Sequence, residues 1–288
     1  MIDFIIHSEE GKRKVNKARK AIEKRLSTLN IPYCFHFTER KGHATELARE
    51  LVKNGADCIV AVGGDGTVHE TLNGLDCFDR VTFGIIPAGT GNDFAASVNI
   101  PTKPLKALDI ILQNNVKRVD FFECSGIRGM NAIGAGIDVD ILKHYNKHTL
   151  NGKIQYTLSL LHCLIHYRPY ELTVIDKNGV KHAKKVLIAC LCNGKRFGGG
   201  IKISPDSIVD DGKLDFLVVN DLPKRKFIGA LIKLATGKIK RISTSESSLE
   251  ENVKIEGSFP VQIDGEIYEN IAFDVKIVKD TLKMYLPK

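Results

Sequence analysis

The sequence predicts an α/β protein in two parts, an N-terminal Rossmann-like parallel-sheet domain and a C-terminal antiparallel β-sandwich domain. Three observations carry this. Strand-like and helix-like segments alternate from Ile2 to about Asp120. Two of the early strand-like runs end in glycine-rich turns. After about Val119, short strand-like runs bounded by turn residues dominate.

The elements follow in order. Ile2–Ile6, apolar apart from Asp3, reads as the first strand. Lys12 to Leu29 is basic and amphipathic and reads as a helix. Tyr33–Phe37 reads as a strand, and Ala44 to Asn54 as a helix that stops at Gly55. Cys58-Ile59-Val60-Ala61-Val62 is uniformly apolar, as a strand buried on both faces must be. Val68 to Leu72 reads as the opening of a helix, Val81 to Ile86 as another buried strand, and Leu105 to Gln113 as a closing helix. Strands alternating with helices at this spacing build βαβ units, hence a parallel sheet with helices on both faces.

In the second part, Glu171–Ile175 and Val186–Cys192 flank Asp176-Lys177-Asn178-Gly179, where Asn-Gly marks a hairpin. Leu214–Val219, Val253–Ile255, Val261–Ile263, Ile271–Val278 and Thr281–Leu286 continue the strand pattern, and helices are expected to be rare. The expected boundaries are 1–120 and 121–288. A return of the last strand to the first domain is left open.

At 288 residues the chain can bury a sizeable core. Its net charge of +8 points to an anionic partner or to plain solubility charge. No zinc-finger, recognition-helix or RNA-binding aromatic motif appears, so an anionic membrane surface is expected ahead of nucleic acid. The odd set of Cys34, Cys58, Cys77, Cys124, Cys163, Cys190 and Cys192, with no Cys-x-x-Cys, reads as free thiols in a reducing cytosol, without a metal role. Met1 to Ile6 reads as a strand, not a signal peptide. The longest apolar stretch, Ile154 to Tyr167, is interrupted by Gln155, Ser159, His162 and His166, so no spanning helix is expected. The expected location is cytoplasmic and peripheral at the inner membrane face, with a homodimer as the default assembly.

The chemistry concentrates at the two glycine turns. Gly63-Gly64-Asp65-Gly66-Thr67 lies between a buried strand and a helix, where backbone N–H groups and the helix dipole favour a phosphate. Asp65 would repel a bare phosphate, so a metal ion or a hydroxyl group belongs nearby. The alternatives are a Thr67-x-x-Glu70 capping box and an ordinary βα turn. The run is neither Gly-x-Gly-x-x-Gly nor a P-loop. Pro87-Ala88-Gly89-Thr90-Gly91-Asn92-Asp93-Phe94-Ala95 repeats the theme after the next strand, and the two loops can share one crevice.

Gly63 to Thr67 followed by Pro87 to Ala95 resembles the diacylglycerol kinase catalytic domain, above all that of the soluble bacterial lipid kinases. Sphingosine kinases and, more remotely, NAD kinases share the first motif, while the second favours lipid kinases. The likeness runs on through Asn193-Gly194, Gly198-Gly199-Gly200, Pro205, Asp210 to Asp215, and Asp264-Gly265-Glu266.

The resemblance implies an ATP- and Mg²⁺-dependent kinase that passes the γ-phosphate to a lipid hydroxyl, with diacylglycerol the default acceptor. A sphingoid base, phosphatidylglycerol, a polyprenol or NAD are alternative acceptors, and a catalytically inactive nucleotide or lipid sensor is the non-enzyme alternative. Gly63, Gly64, Gly66, Val68 and Gly89 fall in the loops that would cradle ATP, with Thr67 and Thr90 adding hydroxyls. Thr38, in Thr38-x-x-x-Gly42-His43-Ala44, maps to a nucleotide contact or is a turn residue. Asp65 and Asp93 would hold Mg²⁺, or else serve as turn former and N-cap. Glu266 maps to the general base on the lipid hydroxyl with Asp264 assisting, although Asp-Gly-Glu alone reads as a turn. Asp211, with carbonyls mapping to Ile208 and Lys213, would bind a structural Mg²⁺ at what also reads as a hairpin turn.

Two departures stand out. Where the family opens with Asn-Pro and a glycine-rich turn, this chain has His7-Ser8-Glu9-Glu10-Gly11-Lys12. His69 stands where asparagine is common; it keeps a hydrogen-bonding edge but also reads as a surface histidine. Lys224-Arg225-Lys226-Phe227-Ile228, continuing through Leu231, Lys233, Lys238, Lys240 and Arg241, reads either as a membrane-facing helix or as a packed helix with solvated lysines.

Overall fold

The computed structural model describes residues 1–7, 13–147 and 153–288; for residues 13, 153, 154, 224, 228, 231, 234 and 235 it describes the backbone alone. The chain forms two compact units, Met1–Asp120 with Lys279–Lys288, and Phe121–Val278.

In the first unit β1 (Ile2–His7) leads through α1 (Arg13–Thr28) to β2 (Tyr33–Thr38), and α2 (His43–Lys53) returns the chain to β3 (Cys58–Gly63). Then follow α3 (Asp65–Gly74), β4 (Thr82–Pro87), α4 (Asp93–Ser97) and α5 (Pro104–Leu112). The strands are parallel in the order β4-β3-β1-β2. All six residues of β3 are buried, as its apolar run requires. β2 is the edge strand and is only half-buried, which leaves Phe37 exposed. Val15, Ala18, Ile22 and Leu26 of α1 are buried at helical spacing. The winding reverses between β1 and β3, and in a sheet of this kind the crevice opens beside the strands' carboxyl ends. Gly63 pairs with Pro87 and His7 with Thr38 at that edge.

β5 (Val116–Cys124) carries the chain onward. The second unit continues with β6 (Ile127–Gly129), β7 (Ala132–Gly136), α6 (Ile137–Asn146), α7 (Lys153–Ile165), β8 (Tyr170–Ile175) and β9 (Lys181–Cys192). It is completed by β10 (Leu214–Asn220), α8 (Phe227–Ala235), β11 (Ser245–Glu250), β12 (Asn252–Glu256), β13 (Val261–Ile263), β14 (Glu266–Tyr268) and the start of β15 (Phe273–Tyr285). Its described strand pairs are antiparallel.

β9 organises this unit. Its first half pairs with β8, and its second half with β7 and β10. Ala189 and Leu191 join Leu172, Val174, Phe216, Val218, Val261 and Val275 in a core built from strands. The intervening Ile188, Cys190 and Cys192 join Ile137, Leu160, Phe227 and Ala230 on the other face. The two-residue side-chain period thus feeds two cores, which is why Val186–Cys192 is apolar at every position. The second face is covered by α6, α7 and α8, so the expectation of few helices here is corrected. The Asn178-Gly179 hairpin forms as expected: Gly179 is left-handed at φ 79° and Asp176 Oδ1 accepts the N–H groups of Asn178 and Val180 at 2.9 Å.

β15 is one strand where the sequence suggested two. Its first residues pair with β12, and Met284 pairs in parallel with Phe83 of β4, so the last residues belong to the first unit. Asp280 marks the break, with φ 47° and its N–H donated to Asp120 Oδ1 at 2.7 Å.

Candidate functional site

In the first unit the two glycine loops interlock backbone to backbone. The N–H groups of Ala88 and Gly89 both reach the Gly63 carbonyl, at 2.8 and 3.1 Å. A methyl group on Gly89 would collide with the Gly64 Cα, and one on Gly63 with the Thr67 side chain. The Asn92 side chain closes the second loop, accepting the Gly89 N–H at 3.0 Å and donating to the Gly89 carbonyl at 2.9 Å. Gly64, Asp65 and Gly66 remain half-buried and Thr90 exposed, so this rim is open to a ligand.

Asp65 begins α3, and its Oδ1 accepts the backbone N–H of Asp93, the first residue of α4, at 2.7 Å. One carboxylate therefore ties the two loops together. Asp93 is buried and is not the N-cap; that position is Asn92, left-handed at φ 55°. Thr67 is not an N-cap either. The cap is Gly64, and Thr67 lies within α3 with its hydroxyl beside Gly63. Glu70 does not close a capping box: its carboxylate accepts the N–H groups of Gly42 and Ala44 at the start of α2, at 2.9 and 3.2 Å. His69 is 3% exposed, so the surface-histidine reading is corrected, and Val68 is buried too. Thr38 is the buried last residue of β2, at the carboxyl edge of the same sheet. Residues 8–12 of the first loop, with Gly11 and Lys12, lie outside the described residues.

The donors suit Mg²⁺-ATP. Two carboxylates, Asp65 and Asp93, offer oxygen donors to a hard cation, and side-chain-free loops let backbone N–H groups approach phosphates.

In the second unit Asp264 and Gly265 turn β13 into β14, both left-handed at φ 51° and 91°, and Ile263 pairs with Glu266. The Asp264 carboxylate is a tight acceptor. Oδ2 takes the Met130 N–H at 2.7 Å, and Oδ1 takes those of Asn131 and Ala132 at 2.9 and 3.0 Å. Gln262 Oε1 accepts the Gly265 N–H at 3.0 Å. The turn carrying Glu266 is therefore fixed from two sides, and the half-buried Glu266 stands at its exit.

Asp211 and Lys213 lie just before β10, with Asp211 Oδ1 accepting the Lys213 N–H at 2.9 Å. The preceding strand ends at Cys192, so this is a turn at the end of a long connection and not a tight hairpin. Asp211 and Ile208 are both exposed. The exposed Asp211 carboxylate is an oxygen donor of the kind a hard cation takes.

Sequence reasoning passed over Asp138. It lies in the first turn of α6, 1% exposed, packed over Gly134 and beside the Gln262 amide. The N–H groups of Asp138 and Val139 and the Gln262 amide lean toward it without a well-formed hydrogen bond, and burial raises its pKa to about 7. Two acids in Ile137-Asp138-Val139-Asp140 were the available signal. α7 also presents Leu158, Leu161 and Ile165 to solvent at helical spacing, Ile165 at 68% exposure. The basic segment near α8 is mixed. Phe227 and Ala230 are buried, Arg225, Lys226 and Ile232 are exposed, and Lys233 Nζ donates to the Arg241 carbonyl at 2.7 Å. The side chains of Lys224, Ile228 and Leu231 lie outside the described residues.

Comparison with known proteins places the chain in a family. Residues 2–124 match the diacylglycerol kinase catalytic domain, and residues 131–286 match the YegS C-terminal NAD kinase beta sandwich-like domain. A diacylglycerol kinase of Bacillus subtilis is 32% identical over 207 residues, 70% of this chain and 66% of that protein. "Putative lipid kinase YtlR" of the same organism is 27% identical over 94% of each chain. A crystal structure of a diacylglycerol kinase from Bacillus anthracis shares the fold, with a TM-score of 0.79 at 24% identity, over 99% of this chain and 97% of that one. An Archaeoglobus fulgidus NAD kinase in complex with ATP is a more distant fold neighbour, with a TM-score of 0.53 at 15% identity, over 99% of this chain and 93% of that one.

Proposed function

The chain belongs to the bacterial lipid kinase family built from a diacylglycerol kinase catalytic domain and a YegS C-terminal domain, and from that premise we propose that it transfers the γ-phosphate of ATP to the hydroxyl of diacylglycerol. The observation that carries the phosphate-binding half is the interlock of Gly64 with Gly89 under the Asp65–Asp93 hydrogen bond. The acceptor assignment rests on the relatives' names.

In this reading the N–H groups at the start of α3 and in the Gly89–Gly91 loop hold ATP phosphates, with Thr90 offering its hydroxyl at the rim. Thr38 flanks them at the carboxyl edge. Buried Thr67, Val68 and His69 hold the loop from beneath. Asp65 and Asp93 would hold Mg²⁺, which when bound neutralises charge on the transferring phosphoryl group. Glu266 accepts the proton of the lipid hydroxyl as its oxygen bonds to the γ-phosphorus and the bond to the ADP oxygen breaks. Asp264 positions Glu266 and does not itself take the proton, since its oxygens already accept three N–H groups. Asp211, with the Ile208 and Lys213 carbonyls, would hold a second Mg²⁺ that stiffens the turn before β10.

Among the described residues no helix is long and apolar enough to cross a membrane. Contact with an anionic bilayer is assigned to the exposed Leu158–Leu161–Ile165 face of α7, aided by exposed Arg225 and Lys226 and the chain's net charge of +8. The test is transfer of labelled γ-phosphate to mixed-micelle diacylglycerol, sphingoid base, phosphatidylglycerol and polyprenol, with NAD included. Diacylglycerol should be labelled fastest; preferential labelling of another acceptor would overturn the assignment.

A further inference from the structure

We propose that Asp3, Cys34 and His36 form a binding site for one zinc ion at the edge of the first unit's sheet. Asp3 and Cys34 are register partners on the parallel strands β1 and β2, and His36 lies two residues beyond Cys34 on the same sheet face. The three ligand atoms, a carboxylate oxygen, a thiol sulfur and an imidazole nitrogen, all lie within 4.8 Å of one another. His36 Nε2 is 2.9 Å from Asp3 Oδ1.

The donor set selects the metal. Sulfur and imidazole nitrogen are poor ligands for Mg²⁺ or Ca²⁺ and good ones for Zn²⁺ or Co²⁺. Tetrahedral zinc, with bonds of about 2.0–2.3 Å, holds its ligand atoms roughly 3.3–3.8 Å apart, within reach of small side-chain rotations from the spacing seen. The backbone is set by six paired residues of β1 and β2, so the site is organised before the metal arrives. Three protein ligands leave a fourth position for water, reached through the partly exposed His36 and Cys34.

The Asp3 carboxylate gives the site its strength. Its side chain is 3% exposed, and a buried carboxylate needs a compensating charge or hydrogen bonds. Without metal, His36 supplies a hydrogen bond; with metal, the cation replaces it. The site is separate from the glycine loops. Asp3 lies toward the amino end of β1, four residues or roughly 13 Å of strand from its carboxyl end at His7. The sequence concealed it because the ligands come from two strands, in Cys-x-His and a distant aspartate, without Cys-x-x-Cys spacing.

The experiment is a Co²⁺ titration of the full chain followed by Zn²⁺ competition, in a Cys77→Ser background because Cys77 is an exposed cysteine. About one equivalent should bind, with a thiolate-to-cobalt charge-transfer band and tetrahedral visible bands that zinc abolishes. Cys34→Ser should remove the charge-transfer band and weaken binding at least tenfold, and His36→Gln should weaken it comparably, with far-UV circular dichroism unchanged. Absence of the thiolate band in the Cys77→Ser protein would overturn the proposal, as would an unchanged band and affinity in Cys34→Ser. Should Cys34→Ser fail to fold, unaltered binding by His36→Gln would overturn it equally.

Discussion

The Asp65 carboxylate accepts the backbone N–H of Asp93 at 2.7 Å, joining the start of α3 to the start of α4. An aspartate in a phosphate cradle looks misplaced until this bond is seen. It fixes one glycine loop against the other, so their N–H groups are held in place before a nucleotide arrives, and preorganised donors stabilise developing charge without reorganisation. In the proposed reaction the carboxylate would also offer negative charge to a magnesium ion.

Asp65→Asn keeps an acceptor for the Asp93 N–H but removes the charge. Its lipid kinase activity should fall at least a hundredfold with the melting temperature nearly unchanged. Asp65→Ala should lose a further ~1 kcal/mol of stability with the hydrogen bond. Parallel kinase assays and thermal melts separate the two effects; equal stability of both variants would mean that the bond contributes nothing.

Gly89→Ala drives a methyl group into the Gly64 backbone. The loops must part, at a cost of about 1–3 kcal/mol, and ATP affinity should drop more than tenfold. Calorimetric titration with ATP checks this. Wild-type affinity would remove the interlock from the account.

Asp264→Ala leaves the N–H groups of Met130, Asn131 and Ala132 without their carboxylate. A loss of about 2 kcal/mol or more is expected, together with reduced kinase activity as the turn carrying Glu266 loosens. Urea melts and phosphate transfer should fall together; a melt shift without an activity loss would deny Asp264 its positioning role.

Asp138 sets a pH dependence of stability. Its ordinary pKa is 3.8 and burial raises the folded value to about 7. Between these limits the unfolded chain releases the proton while the folded chain keeps it, so this group's contribution falls as pH rises from about 4 to about 7 and is flat above. The window is worth on the order of 4 kcal/mol at most. Urea melts across that range for wild type and Asp138→Asn should diverge with this slope; parallel curves would contradict it.

The parallel unit was legible because each of its signals is local. An all-apolar β3 can only be buried on both faces, and Gly89 is demanded by a backbone contact with Gly64 that leaves no room for Cβ, as Gly63 is by the Thr67 side chain. What escaped is long-range. Glu70 looked like its own helix's cap because Thr67 precedes it by three residues, but its carboxylate serves α2, 26 and 28 positions away. Val186–Cys192 read as strand without disclosing that α6, α7 and α8 cover one of its faces. In Asp264-Gly265-Glu266 the sequence suggested the turn; only the fold brings residues 130–132 onto the Asp264 carboxylate.

In the proposed reaction Glu266 is the base of a lipid phosphotransferase. The most direct test is single-turnover transfer of labelled γ-phosphate to diacylglycerol micelles by wild type and Glu266→Gln, with ATP binding measured on the same samples. We predict that the variant binds ATP within about twofold of wild type and loses at least a hundredfold in transfer rate, in keeping with the 10²–10⁴-fold typical of a general base. Wild-type transfer by Glu266→Gln would contradict it.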